Sequence, residues 1–236
     1  MAHSVFLGIW QPVCRLRLMS VKEAISGHPR GAIPLAPEGW PFLIPTLLLV
    51  IAAIVLCWWI AAGLLGLLLA FMLNFFRDPE RKLPEGEGLF VCPADGKVVR
   101  VNEDESGLRV DIFMNVFDVH VNRAPMSGEI TNIQYTPGQF VNASFDSASE
   151  NNERNRFEMQ TDDGSKIAFT QIAGLVARRI VSYTTVGTHV KVGQRVGMIR
   201  FGSRVDCEIP AGYELCVALG DRVVSGETIL ARRVDV

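Results

Sequence analysis

Three residues in this chain carry the side chains needed to activate a hydroxyl for attack. Ser203 follows Gly202 in the run Arg200 to Asp206, His120 stands in the run Asp118 to Pro125, and Asp95 lies between Pro93 and Gly96. Each has an ordinary reading: a turn serine, a structural histidine and a turn carboxylate. Together they read as a nucleophile, a proton carrier whose unperturbed pKa is about 6.5, and a carboxylate able to fix its tautomer. The glycine before the serine gives the set its direction. Without a side chain, Gly202 lets a hydroxyl approach its carbonyl carbon and tolerates the strained backbone that such an attack needs. Attack by the Ser203 hydroxyl turns the peptide bond into an ester, an N→O acyl shift at which the chain can break. The motif is not a G-x-S-x-G elbow, because Phe201 and Val205 occupy the glycine positions.

The remaining histidines compete poorly with His120. His3 and His28 precede a long apolar run, and His189 sits in a glycine-rich turn and reads as solvated. His120 is flanked by Val119 and Val121, so in a strand it faces away from both. Arg178 and Arg179, adjacent in the run Gly174 to Ile180, suit a lipid phosphate, although neighbouring arginines are more often exposed ion-pair partners. The polar stretch Ser144 to Arg156 reads as a functional loop.

These residues must be positioned by two kinds of element. Phe42 to Phe76 is an uncharged run of 35 residues. One straight helix would be about 52 Å long, well beyond a hydrocarbon core of about 30 Å. Two helices of about 17 residues fit better, with the break expected between Trp58-Trp59 and Gly63-Gly66. Arg15, Arg17, Lys22 and Arg30 before the run, and Arg77, Arg81 and Lys82 after it, favour a hairpin with both ends on the cytoplasmic side of the cell membrane. Residues 1–41 form an N-terminal segment and linker in which Met19 is an alternative start.

After Phe76 the pattern changes to short β-rich runs between glycine turns: Lys97–Val101, Arg109–Met114, Glu129–Tyr135, Phe157–Thr161, Ile167–Ile172, Val196–Phe201, Val205–Ile209 and Glu214–Ala218. Residues 77–236 therefore read as one mainly β domain without a useful helical period. Glycine-punctuated hairpins near Gly128, Gly187 and Gly220 suggest a lipoyl or barrel-sandwich-like architecture, but no attachment lysine accompanies them. The net charge of −2 and the lack of a basic block argue against nucleic acid as partner. Five cysteines, odd in number and widely spaced, support neither a disulfide framework nor a metal site. A membrane-anchored carrier without chemistry and a membrane-bound peptidase are the alternatives to a self-cleaving enzyme.

Four segments, Phe75–Arg81, Pro93–Val98, Phe117–Pro125 and Phe201–Ser203, together resemble the phosphatidylserine decarboxylase proenzymes in their short membrane-associated form. Asn152–Asn155 and Gly174–Ile180 add to the likeness, which spans Gly39 to the C-terminus in motif order. The resemblance implies self-cleavage between Gly202 and Ser203 into a β chain (1–202) and an α chain (203–236) that remain together as a heterodimer; a higher oligomer stays open. β-Elimination from the ester would leave dehydroalanine at position 203, and hydrolysis would release ammonia and leave a covalent pyruvate (pyruvoyl) group. That group would form a Schiff base with phosphatidylserine in the membrane, with loss of carbon dioxide giving phosphatidylethanolamine. The family's Asp/His/Ser relay falls on Asp95, His120 and Ser203. The long branch of the family carries a second histidine where this chain has Arg123, so either His120 serves both steps or Arg123 takes a positioning or substrate-binding role beside Arg178 and Arg179.

Overall fold

The structure, a computed structural model, describes residues 34–104, 107–138, 151–174, 179–200 and 202–234. Most of the N-terminal segment, Arg178, Phe201 and most of the polar stretch from Ser144 lie outside the described residues.

The uncharged run folds as two helices, α1 (Trp40–Val55) and α2 (Trp59–Phe75). Pro41 falls in the first turn of α1, where a missing N–H costs nothing. The turn between the helices lies at Leu56 to Trp58, at the near edge of the expected region. Cys57 takes the left-handed conformation (φ 57°). The Trp58 N–H reaches back to the Ala53 carbonyl (2.8 Å) and the Cys57 N–H to that of Ile54 (3.0 Å). This pair of bonds is a Schellman closure, which satisfies the carbonyls at the helix end. Gly63 and Gly66, expected at the break, lie inside α2 with open space around them. Leu43, Thr46 and Ala53 face inward from α1, whereas Leu48, Val55, Trp58, Trp59 and Ile60 are exposed. The two ends of the hairpin meet at its foot: the Ala36 N–H bonds the Phe76 carbonyl (2.7 Å) and the Asp78 N–H that of Pro34 (2.8 Å).

The rest of the described chain is all strand, in the order β1 (Leu89–Val91), β2 (Gly96–Asp104), β3 (Gly107–Met114), β4 (Val121–Arg123), β5 (Gly128–Thr136), β6 (Arg154–Thr161), β7 (Lys166–Ala173), β8 (Ile180–Ser182), β9 (His189–Val190), β10 (Arg195–Ile199), β11 (Ser203–Pro210), β12 (Tyr213–Leu215), β13 (Arg222–Val223) and β14 (Ile229–Arg233). An eight-stranded sheet runs β13-β2-β3-β11-β7-β6-β5-β9, flanked by three-stranded sheets β1-β14-β12 and β4-β10-β8. Every pairing is antiparallel. The sheets share one apolar core and do not close into a barrel among the described residues, so the mainly β reading holds in an open form. Alternation along β11 sorts its faces: Val205, Cys207 and Ile209 enter the core with Val110 and Ile112 of β3, while Arg204, Asp206 and Glu208 project from the opposite face.

The segment Arg77 to Arg81 straps the hairpin to this domain. Arg77 donates to the Asn74 carbonyl (2.6 Å) and, across the chain, to that of Phe117 (2.7 Å). Asp78 receives Arg123 (2.8 Å) and Arg195. Arg81 holds Asp95 through Nη2, at 2.9 and 2.7 Å from its two oxygens. Tyr183, just beyond β8, adds a bond from its hydroxyl to Glu38 in the short turn before α1 (2.7 Å). The charged residues of the strap are thus consumed in fixing the hairpin foot against the loop that carries His120.

Candidate active site

Ser203 opens β11, in the middle of the large sheet, with Met114 on one side and Ala173 on the other. It is fully buried, and its hydroxyl has no hydrogen-bond partner. Leaving a buried polar group unsatisfied costs about 1–3 kcal/mol. An unpaired hydroxyl has its lone pairs and its proton available for chemistry. Gly202 before it is left-handed (φ 63°), and a side chain added there would meet nothing within 4 Å. Glycine is required at 202 by backbone conformation and not by space. The peptide bond preceding a buried, unpaired hydroxyl therefore follows a residue held in a conformation other residues resist.

His120 lies immediately before β4 and is also fully buried. Its Nδ1 is 2.9 Å from the Asp118 carbonyl, and its Nε2 has no partner. A carbonyl only accepts, so Nδ1 carries the proton and Nε2 presents a lone pair. Burial lowers the imidazole pKa to about 4, helped by the nearby Arg77 cation, so the ring is neutral at pH 7. The Phe75 ring, the last residue of α2, lies 4.3 Å from the imidazole centroid at an interplanar angle of 36°. Val119, His120 and Val121 are all buried, so both faces of this segment are covered. The hairpin foot supplies the second cover: Phe75 and Phe76 pack with Val119, Val121 and Met198 in a separate apolar cluster.

The Ile199 N–H bonds the His120 carbonyl (3.3 Å), and only Arg200, Phe201 and Gly202 intervene before Ser203. Ser203 is therefore within about 14 Å of this contact along the chain. A buried amide relay links the neighbouring strands. Gln171 donates to Asn122 (2.8 Å), and Asn122 approaches the sulfur of Met114, the register partner of Ser203 (3.7 Å). Sequence reading missed Phe75, the Asp118 carbonyl and this relay. Only the Phe75-Phe76 pair beside the strap carried a signal for them.

Two expectations are corrected. Asp95 does not meet His120: its carboxylate is held by Arg81 and by the Ser225 N–H (2.8 Å), while Asp118 supplies the acceptor for the imidazole. An arginine fourteen residues upstream, brought alongside by the strap, outcompetes a neutral imidazole for a carboxylate. Nor is Arg123 free for a headgroup. It is buried, donating to Asp78, to the Pro79 carbonyl (3.0 Å) and to that of Gly193 (3.0 Å). Arg179 is exposed beside β8, and its carbonyl accepts the Arg200 N–H (3.3 Å). Asn152 and Glu153 border the Ser203 neighbourhood, because Asn152 donates to the Ala173 carbonyl (2.7 Å) and the Ala173 N–H to that of Glu153 (2.9 Å). His189 is exposed against Asp162 (2.7 Å), as expected of a solvated residue, but it opens strand β9 and does not sit in a turn. A concavity of about 760 Å³ lies beside Arg109, Arg156 and Glu208 and is lined by neither Ser203 nor His120.

The Asp95 geometry makes a direct prediction. Asp95→Asn leaves the Ser225 contact possible but takes from Arg81 its nearer counter-charge, leaving Glu227 at 3.9 Å, and breaking a mostly buried pair costs about 3 kcal/mol. Chemical denaturation of the uncut Ser203→Ala protein with and without Asp95→Asn measures this. A loss under 0.5 kcal/mol, on the order of a surface pair's worth, would show that the strap does not depend on Asp95.

The phosphatidylserine decarboxylase family profile matches residues 68–231, which include the foot of α2, the strap, His120 and Ser203. Curated relatives carry the name phosphatidylserine decarboxylase proenzyme. One from Zymomonas mobilis subsp. mobilis is 48% identical over 212 residues, covering 83% of this chain and 85% of the relative. One from Symbiobacterium thermophilum is 46% identical over 205 residues, covering 84% and 95%. A third, from Nitratidesulfovibrio vulgaris, is 47% identical over 209 residues, covering 86% and 96%. With likeness at this level running through both the strap and the buried serine, the chain belongs to the phosphatidylserine decarboxylase family.

Proposed function

We propose that this protein is a self-processing, pyruvoyl-dependent decarboxylase that converts phosphatidylserine to phosphatidylethanolamine and carbon dioxide at a membrane surface. The observation that carries the reading is a pair of buried polar atoms without partners, the Ser203 hydroxyl and His120 Nε2, in a chain of this family. In maturation, Nε2 takes the proton of the Ser203 hydroxyl as that oxygen attacks the Gly202 carbonyl. The bond between 202 and 203 becomes an ester, whose elimination frees the Gly202 carboxylate. The surroundings of Ser203 suit a pyruvoyl group: the site is buried and no donor is paired with the side chain. Such a group supplies a carbonyl that draws electrons from the substrate as carbon dioxide leaves. His120 Nε2 takes up a proton that the substrate's ammonium group sheds and, as imidazolium, returns it to the carbon that lost the carboxylate. The Asp118 carbonyl keeps a proton on Nδ1, so that Nε2 is the atom that takes and returns the proton, and Phe75 covers one face of the ring.

The hairpin supports a membrane setting. The helical stretch Pro37–Val55 is long and apolar enough to cross a membrane, and α2 is a shorter apolar helix. Basic flanks on both sides of the apolar run support a foot, and with it a domain, on the cytoplasmic side of the cell membrane. A diacyl lipid resists extraction at about 0.8 kcal/mol per buried methylene, so a site at the hairpin foot lets the headgroup arrive while the chains stay in the bilayer. Exposed Arg179 remains a headgroup-phosphate candidate; Arg123 does not.

Intact-mass measurement of the purified protein tests the reading. The expected result is two chains, 1–202 and 203–236, the smaller blocked to N-terminal sequencing, together with carbon dioxide release from phosphatidylserine vesicles. A single chain of 26.0 kDa with an unmodified serine would favour a carrier module without chemistry.

A further inference from the structure

Outside the site, the most heavily charged buried cluster sits one residue beyond the proposed cut. Arg204 is the largest of the fully buried side chains, 1% exposed. Its Nε is 2.7 Å from one oxygen of Asp206 and its Nη2 3.1 Å from the other. Asp206 lies directly opposite Asp111 of β3, a facing pair of carboxylates that would repel without cations between them. Arg109 reaches both, at 2.9 Å to Asp111 and 2.7 Å to Asp206. Arg100 of β2 stands 3.3 Å from Asp111, and Arg204 itself 3.9 Å from it. All of this lies on the face of β11 opposite Ser203, and none of it serves proton transfer.

Cutting the chain before Ser203 would make β11 begin at the reactive residue. Strand ends fray unless tied down. Conversion of Ser203 to a pyruvoyl group also removes that residue's N–H, and so a donor to the ladder. We infer that Arg204, paired with Asp206 against Asp111, is the positioning residue that holds the reactive end of β11 in register once the backbone is cut, an inference that rests on the function proposed above. Apolar residues would stabilise the sheet as well or better; a buried charge cluster is better attested as a register device. A slip of β11 by one residue moves its end about 3.3 Å and carries Asp206 away from Arg109 and Arg204 away from Asp111, both on β3. Displacements of about 1 Å at a reacting centre already cost about 100-fold in rate.

The test compares Arg204→Met and Arg204→Lys with the wild type in phosphatidylserine vesicles, with activity expressed per pyruvoyl group counted by mass. Arg204→Met should still be cut, with kcat at least tenfold lower and KM changed less than twofold, and Arg204→Lys should recover to within threefold of the wild type. An unchanged kcat in Arg204→Met overturns the inference. Should that variant fail to fold, hydrogen exchange on unmutated protein decides. Amides 205–208 in the cut wild type should exchange within tenfold of their rates in uncut Ser203→Ala, and a hundredfold loss of protection on cutting overturns the clamp. Cut protein with a frayed strand defeats the clamp alone, whereas an uncut wild type defeats the functional reading and the clamp with it.

Discussion

Ser203→Ala is expected to give one uncut chain with no decarboxylase activity, folded at least as stably as the unprocessed parent. The first half follows from chemistry, because without the hydroxyl no atom at position 203 can attack the Gly202 carbonyl. The second half follows from burial. The Ser203 hydroxyl has no partner and sits beside Met114 and Ala173, so removing it takes away an unsatisfied polar group without opening a sizeable cavity. The expected gain is about 1 kcal/mol, read as a rise in the unfolding midpoint relative to freshly made, uncut wild type. Most buried substitutions destabilise, so lost activity together with preserved or raised stability separates a chemical role from a structural one. Two chains in the Ser203→Ala protein would remove Ser203 from the cleavage step.

Much of this arrangement can be read from residue order, and the parts that cannot share a physical cause. All eight expected strand regions contain strands, because glycine punctuation and β-branched runs are local signals. Strands such as β9 and β13, two residues each, have no period to detect and exist only because Gly128 and Gly96 offer them partners. The helical turn was drawn toward Gly63 and Gly66 by composition, yet Cys57 takes the left-handed position because the Schellman bonds close there. Asp95 shows the limit most clearly. Its residue type allowed either an imidazole or a guanidinium as partner, and only the path of the strap decides for Arg81. The substrate-binding alternative for Arg123 fails for the same reason, since Asp78 reaches it from a segment 45 positions away, and the positioning alternative is untouched. Ser203 was found by its own chemistry; its lack of a partner is a property of the packed sheet.

His120→Gln is expected to reduce decarboxylation by about 10²–10⁴-fold and to slow maturation, because glutamine can keep a bond near Asp118 but cannot shuttle a proton. The same histidine has a second signature, visible without turnover. Its folded pKa is lowered to about 4 by burial, while in the unfolded chain it is about 6.5. Between these values the unfolded state binds a proton that the folded state refuses, so stability falls as pH drops from about 6.5 to 4. The integrated loss is about 3 kcal/mol, fully developed near pH 4 and absent above pH 7. In the uncut Ser203→Ala protein, adding His120→Gln should flatten this part of the stability curve, leaving the acid loss due to carboxylates below pH 4. Phe75→Ala should have the intermediate effect: opening one face of the ring to water raises the imidazole pKa and shortens the window from its lower end. Denaturant titrations from pH 4 to 8 on the three proteins measure the effect. Identical slopes with and without His120 would mean that the ring is already hydrated, and a hydrated ring could not hold the unpaired Nε2 lone pair on which attack by Ser203 depends.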